Sequence, residues 1–385
     1  MPKKTPLSWL LLARQKSRLV VAIAGIAFAD ILMFMQLGFQ SGLYDAAIKP
    51  HRSLDADLVL INPKFQTLIS VKSFRRERLH QTLSVPGIDR VSALYIGTGQ
   101  WRNSETRTSR AILVWGVEPG KPSFKLPDVE GQLNQISLLK TVLFDQAGRP
   151  EYGPVASWLE QAGKSVEVEM SDRLLNLSGV FTLGASFAAD GNAIVSDSTF
   201  LHLFPERDAS NIDVGLIQLK PGTDPLKIQA ILAAELPKDV RVLTVEEFAN
   251  VEKQYWAEGT GIGFIFGLGA VMGFIVGIVI VYQILYSDVS DHLSEFATMK
   301  AMGYSNLFLV RVLIGEALIL AVIGFLPSLV LAMGLYQLTY SATLLPIFMK
   351  LDRAVTVFVL TMVMCSASGA IAMQKLYEAD PADIF

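Results

Sequence analysis

Gly261-Ile-Gly-Phe-Ile-Phe-Gly-Leu-Gly-Ala-Val-Met-Gly-Phe-Ile-Val-Gly-Ile-Val-Ile-Val-Tyr-Gln-Ile-Leu285 runs for 25 residues without one charged side chain. As a helix rising 1.5 Å per residue it is about 37 Å long, enough to cross a hydrocarbon core of roughly 30 Å. Three further stretches meet the same requirement: Leu19 to Phe39, Leu307 to Met333 and Val355 to Met373. Charge is distributed accordingly. Of the 69 charged residues, 50 lie between Ser41 and Glu258, where they make up about 23% of the positions against about 11% elsewhere. The first density suits a water-soluble domain and the second suits segments buried in lipid. The expected fold class is therefore a membrane protein of four transmembrane helices with one large α+β domain inserted after the first. A net charge of −3, with no basic run longer than the N-terminal cluster, leaves no electrostatic footprint for nucleic acid.

Four spans place both termini on one side. Lys3, Lys4, Arg14, Lys16 and Arg18 precede the first span and by the positive-inside rule put that side in the cytoplasm. The short loops do not add to this, since Lys300 on one side faces Lys350 and Arg353 on the other. Thr5-Pro6 followed by Leu7, Trp9, Leu10 and Leu11 reads as an interfacial helix over 1–18. The organisation is then span one at 19–39, an outer domain at 40–260, span two at 261–285, a cytoplasmic connector at 286–306, span three at 307–333, an outer loop at 334–354, span four at 355–373 and a cytoplasmic tail at 374–385. The first stretch is too long, and too polar at Asp30 and Gln36, for a cleaved signal. Cys365 is the only cysteine and lies within the fourth span, so no disulfide can form within the chain. A domain of this size can be held by its own core in a bacterial periplasm.

Within the insert, Asp57–Ile61 (strand), Phe74–Leu83 (helix), Asp89–Gly97 and Arg110–Gly116 (strands) form one unit. Val214–Leu219 (strand), Asp224–Leu236 (helix) and Val240–Leu243 (strand) form a related one, and the two flank a Gly- and Pro-rich middle with strands at Ser165–Met170 and Leu174–Thr182. Catalytic patterns are weak. Gly163-Lys164-Ser165 lacks the first glycine of a phosphate loop, where Trp158 stands, and is followed by strand-like alternation. Ser137 and Lys140 have the serine and lysine spacing of penicillin-interacting enzymes without their Lys-Thr-Gly element. His51, His80, His202 and His292 are scattered, without the spacing of a metal site. The chain reads as non-enzymatic, with no metal or cofactor of its own.

The second span carries glycines at 259, 263 and 267 and at 269, 273 and 277, which permit close helix approach either within the chain or to a second copy. After it, Val289, Leu293 and Phe296 recur at helical spacing. Asp288, Asp291 and Glu295 suit the start of a short helix, Lys300 its end and Gly303 its left-handed cap. His292 falls within the same segment. It serves either as a solvated connector or as a lever that docks on a cytoplasmic partner.

The connector Ser287 to Tyr304, with Glu316-Ala317 and the ending Asp380-Pro-Ala-Asp-Ile-Phe385, resembles the MacB and FtsX superfamily of ABC transporter permeases. Phe28-Ala-Asp-Ile-Leu-Met-Phe-Met-Gln-Leu-Gly-Phe39, taken with that connector, is similar to the cyanobacterial DevC permeases. The resemblance covers essentially the whole chain. It implies a homodimer in the inner membrane, with a periplasmic domain of porter-like half-units and an inserted subdomain. It also implies a separate DevA-like ATPase that binds the ATP and Mg, a DevB-like periplasmic adaptor and a TolC-like outer-membrane duct. Asp288 to Gly303 would be the helix that meets the ATPase. The function implied is export of glycolipids or other amphiphiles, the alternative being FtsX-like signalling to a cell-wall hydrolase. Few charges lie inside the spans, chiefly Asp30, Arg311 and Glu316. Counted from the cytoplasmic ends of their spans, Asp30 and Glu316 fall at similar depths of roughly 14 to 17 Å and are expected in one polar cluster.

Overall fold

The structure is a computed structural model that describes residues 16–186 and 189–378, apart from the side chains of 296–297, 306 and 374–378. Most of the expected interfacial helix (1–15) and the end of the tail (379–385) lie outside the described residues. The chain divides into two units: Met1–Gly42, Ile262–Thr343 and Ile347–Phe385 make one, and Leu43–Gly261 with Leu344–Pro346 the other.

The first helix, α1 (Lys16–Arg52), continues past the apolar stretch because nothing before Pro50 interrupts it, so the insert begins as helix. The insert proper has β1 (Leu58–Ile61), α2 (Arg76–Gln81), β2 (Ile88–Arg102), β3 (Ser109–Val117), β4 (Thr141–Asp145), α3 (Val155–Ala162), β5 (Val166–Met170), β6 (Arg173–Phe181), β7 (Asn192–Ser196), α4 (Asp197–Leu203), β8 (Val214–Leu219), α5 (Pro225–Glu235), β9 (Arg241–Thr244) and α6 (Val245–Gln254). One sheet holds nine strands in the order β9-β1-β8-β2-β3-β7-β4-β6-β5, and β5 also pairs back onto β2 through Trp101 and Arg102.

The two half-units do not stand side by side. They interleave. β1 lies between β8 and β9 and is antiparallel to both, and β8 is antiparallel to β2. The result is the split β-α-β, β-α-β arrangement, with strand order 4-1-3-2. The middle region is inserted between its second and third strands, and there β2, β3, β7, β4, β6 and β5 close into a six-stranded ring. β2 is longer than its apolar run because it serves both the split unit and the ring. Alternation then sorts the core: Leu58 and Leu60 of β1 join the cluster containing Leu79, Ile228 and Leu232, while Val59 and Ile61 join Phe65, Leu243 and Phe248 on the other face. Asp224 caps α5 through Leu226 N–H at 3.0 Å, with Pro225 following. Thr244 and Glu247 form a reciprocal capping box on α6. At about 1.5–3 kcal/mol for each fully buried large aliphatic side chain, two such clusters are a sufficient source of cohesion without a cross-link.

The membrane unit contains α1 as far as Gly42, α7 (Ile262–Asp291), α8 (Leu293–Ala301), α9 (Asn306–Thr343) and α10 (Leu351–Glu378). Four of these are long and apolar enough to cross a membrane. The third helix outruns its apolar stretch by ten residues and stops where Leu344 takes a positive φ of 58°, just ahead of Pro346. The expected loop of 334–354 is thus largely helical, 334–343 ending α9 and 351–354 opening α10, since helix geometry ends at a breaker and not at the edge of hydrophobicity.

Candidate functional site

α1 and α7 run antiparallel and touch through small residues. A side chain at Gly277 would strike Ala29 and Met364, one at Gly273 would strike Leu32 and Met33, and one at Gly269 would strike Gln36. Gly25 of α1 in turn receives Ile280, and the Gln40 amide donates to the Gly263 carbonyl at 3.4 Å. The series Gly269, Gly273, Gly277 is therefore consumed by packing within the chain. Gly267, like Gly261, meets nothing within 4 Å.

Three polar tiers cross this bundle. At the α8 end, Arg18 of α1 hydrogen-bonds Asp291, and its Nη1 lies 3.9 Å from Asp288 of α7. His292 Nδ1 is 3.0 Å from the Asp288 carbonyl and 3.6 Å from its carboxylate. Glu316 of α9, 1% exposed, faces the Asp288 carboxyl. Neither Asp288 Oδ2 nor Glu316 Oε2 has a hydrogen-bond donor among the described residues. In the middle tier, Asp30 of α1 is fully buried and accepts from Ser328 of α9 at 3.0 Å and from Thr361 of α10 at 2.7 Å. At the far end, Arg353 of α10 donates to the Phe348 carbonyl at 3.0 Å and to Ser41 of α1, and lies over the Tyr336 ring. Tyr336 of α9 donates to the Phe34 carbonyl of α1 at 2.5 Å.

Asp30 and Glu316 therefore belong to different clusters. Ser328, the partner of Asp30, stands twelve residues beyond Glu316, a rise of about 18 Å on one helix. The expected common depth fails because Glu316 lies level with Asp288 and so with Arg18, twelve residues along α1 from Asp30. Along α1 the tiers sit at residues 18, 30 and 41, so Asp30 is about 17 to 18 Å from either end group. In the sequence Arg18 counts only toward orientation and Arg353 only as a loop charge, and the hydroxyls of Ser328 and Thr361 carry no signal. A hydroxyl within a span is compatible with ordinary packing until its partner helix is known.

The connector also differs from expectation. Asp288 and Asp291 end α7 instead of starting the short helix, because the chain breaks at His292 (φ −103°, ψ 19°). Two acids at a helix C-terminus oppose its dipole, and Arg18 offsets them. Within α8, Glu295 does occupy the first turn and Lys300 the last. Gly303 (φ 93°) closes the helix: Tyr304 N–H donates to the Met299 carbonyl at 3.1 Å and Gly303 N–H to that of Lys300 at 2.9 Å, a Schellman pair. Leu293 and Met299 pack inward on the bundle. The outward surface is instead Ser294, Glu295, Thr298, Met302 (65% exposed) and Tyr304 (48% exposed). The Phe296 side chain lies outside those described.

Residues 264–381 match the family of FtsX-like permease C-terminal domains. The match covers 118 of the 385 residues. No curated protein matches the sequence. Among solved structures, the periplasmic region of MacB from Actinobacillus actinomycetemcomitans is similar at 13% identity, covering 55% of this chain and 97% of that one with a TM-score of 0.35. The extracellular domain of the noncanonic ABC-type transporter YknZ from Gram-positive bacteria is similar at 13% identity, covering 49% and 99% with a TM-score of 0.32. The matched segment contains α8 and the glutamate of the first tier, while Asp30, at the centre of the middle tier, is supplied by α1 from outside it.

The α/β unit holds one further buried polar centre. Glu252 accepts from Thr67 Oγ1 at 2.7 Å, Leu68 N–H at 2.9 Å and Trp256 Nε1 at 2.8 Å, with His51 Nε2 3.5 Å away. Burial pushes its carboxyl above the usual range despite these donors. Glu118 shows the opposite balance: burial opposes its charge, yet Lys121, the Ala93 N–H and Arg76 hold it below that range. Sealed from solvent, the Glu252 centre is a tie between segments. Among the described residues no three His, Cys, Asp or Glu side chains converge as metal ligands.

Proposed function

We propose that the chain is the permease subunit of an ABC-type export system, with the end bearing Arg18 and α8 in the cytoplasm and the α/β domain in the periplasm. The observation that carries this reading is the FtsX-like match over 264–381 around a short capped helix whose outward face includes Met302 and Tyr304. In this reading α8 with its cap, and Phe296, meet a DevA-like ATPase that binds ATP and Mg. Closure of two ATPase subunits under a homodimer moves the bundle, and the motion reaches the periplasmic domain. That domain works on its substrate together with a DevB-like adaptor and a TolC-like duct. Three polar tiers with few charges make a poor lining for a polar path, which favours transmission of motion over passage between these helices. The substrate class is glycolipid or another amphiphile, by the resemblance to DevC. Affinity purification of the tagged full chain from its own cells tests the reading. An ATPase together with a hairpin adaptor supports it, and a peptidoglycan hydrolase without an adaptor replaces it with FtsX-like signalling.

A further inference from the structure

The first polar tier lacks a hydrogen that the other two tiers do not lack. Asp30 accepts from Ser328 and Thr361, and Arg353 donates to a carbonyl and a hydroxyl. Glu316 of α9 and Asp288 of α7 instead lie within hydrogen-bond reach of each other, acceptor against acceptor. The oxygens left over, Asp288 Oδ2 and Glu316 Oε2, are both enclosed and both without a donor among the described residues. A buried carboxylate with neither a cation nor a donor is costly, and a second one facing it adds repulsion. One hydrogen between them removes both faults, because a protonated carboxyl has an O–H to donate.

The surroundings decide which carboxyl carries it. Arg18 Nη1 of α1 is 3.9 Å from Asp288 Oδ1 and His292 Nδ1 is 3.6 Å from it, while Arg18 also hydrogen-bonds Asp291. These groups face Asp288, whose charge the guanidinium offsets. Glu316, 1% exposed, has no ion pair among the described residues. Gly369 of α10 lies against its neighbour Ala317, and Leu293 and Met299 of α8 join the same apolar cluster. The other charged groups at this end, Lys16 of α1, Glu295 of α8 and Arg311 of α9, are exposed, and Lys300 is half-buried in the last turn of α8. A further cation beside Asp288 would favour its charge and leave Glu316 Oε2 as short of a hydrogen as before. A metal ion fits less well than a proton, since no three ligating side chains of His, Cys, Asp or Glu converge among the described residues.

We propose that the membrane bundle carries one bound proton at neutral pH, held on Glu316 and donated to the Asp288 carboxylate. The bond ties α9 to α7 one turn before the break at His292 where α8 begins. When the proton leaves, it passes to solvent by way of Asp288, whose side chain is 14% exposed, and two facing carboxylates remain. The tie then becomes a repulsion beside the connector. The seam between α7 and α9 is therefore closed by protonation and loosens as pH rises. The inference rests on the bundle and not on the export reading.

Infrared spectroscopy of the full-length protein in neutral detergent tests it. At neutral pH wild type should show a protonated-carboxyl C=O band that Glu316→Gln lacks and Asp30→Asn keeps. In Asp288→Asn the same band should shift or vanish, because its acceptor is no longer a carboxylate, and this variant decides the matter should Glu316→Gln not fold. Thermal unfolding supplies the second readout. A proton held more tightly in the fold than in the unfolded chain stabilises fully at acid pH and is lost as pH rises through the folded value. Wild type and Glu316→Gln should therefore melt alike at mildly acidic pH, and wild type should fall below the variant as the medium becomes alkaline. Three results would each overturn the proposal: no band difference between wild type and Glu316→Gln, a band that Asp30→Asn removes or Asp288→Asn leaves unmoved, or a melting difference constant up to about pH 10, where lysines begin to titrate.

Discussion

The Thr361 hydroxyl donates to the Asp30 carboxylate at 2.7 Å, joining the first membrane helix to the last across 331 positions of sequence. Ser328 adds the third helix at 3.0 Å. Both hydroxyls also lie within reach of their own helix carbonyls, Val357 at 2.8 Å and Phe325 at 2.6 Å. A side chain at position 30 that both accepts and donates can therefore satisfy the site. Asp30→Asn should assemble and melt close to wild type. Asp30→Leu should lose stability, and Thr361→Val should cost about 0.6 to 1.7 kcal/mol, the range measured for hydrogen bonds between membrane helices. Thermal unfolding in detergent measures all three.

At the first tier the pairing is unequal, with two carboxyls facing each other and one guanidinium beside them. Glu316→Gln replaces the carboxyl facing Asp288 by an amide that can donate to it whatever the pH, so it should hold or raise the melting temperature. Arg18→Gln removes the only cation paired with Asp288 and Asp291 among the described residues and should lower it. In a double-mutant cycle, Arg18→Gln with Asp291→Asn should show a coupling of about 0.2 to 1 kcal/mol.

Gly277 and Gly267 lie ten residues apart on one helix and should respond differently. A leucine at Gly277 meets Ala29 and Met364, overpacking that typically costs about 1–3 kcal/mol, and should reduce the yield of folded protein. Gly267→Leu projects into open space and should fold normally. Size-exclusion profiles of the two variants separate these outcomes, and loss of an oligomer in Gly267→Leu alone would locate a contact between copies there.

Only part of the α/β domain was legible in the chain: strand alternation and spacing are local and marked β1, β2, β3, β5, β6, β8, β9, α2 and α5, whereas α3, α4, α6, β4 and β7 were not read. Asp224 with Pro225 marks a helix start in sequence and in structure alike, while the Thr244 and Glu247 box that opens α6 was not read. What was not legible is pairing at a distance: that β1 inserts between β8 and β9, or that Trp101 and Arg102 close a ring through β5. In the membrane the same limit applies. Asp30 and Glu316 stood out as charges in apolar stretches, yet their partners are serine, threonine and another acid, which carry no pattern until the helices are placed together. Leu293, placed on the docking face by its spacing, faces the bundle because helical spacing fixes a face but not its neighbour.

Glu252 predicts a pH effect. Its carboxyl titrates above the ordinary value of about 4.3 when folded, so the fold binds a proton more tightly than the unfolded chain does. That contribution to stability is complete below about pH 4.3 and is lost as pH rises through the folded value. Subtracting the Glu252→Gln melting curve from wild type should reveal a decline over this window, read by Trp256 fluorescence. At neutral pH Glu252→Gln should still cost about 1–3 kcal/mol, because its amide N–H must oppose a donor from Leu68 or Trp256.

The central claim is that the outward surface of the connector meets a cytoplasmic ATPase. Met302→Asp and Tyr304→Asp place a carboxylate on that surface, where docking would have to desolvate it at a cost of several kcal/mol. Leu293→Asp instead strikes the bundle and should lower its melting temperature. Co-purification of the ATPase with each tagged variant decides the matter: the account predicts its loss from Met302→Asp and Tyr304→Asp proteins that melt like wild type. Recovery of the ATPase with both variants at the wild-type level would contradict it.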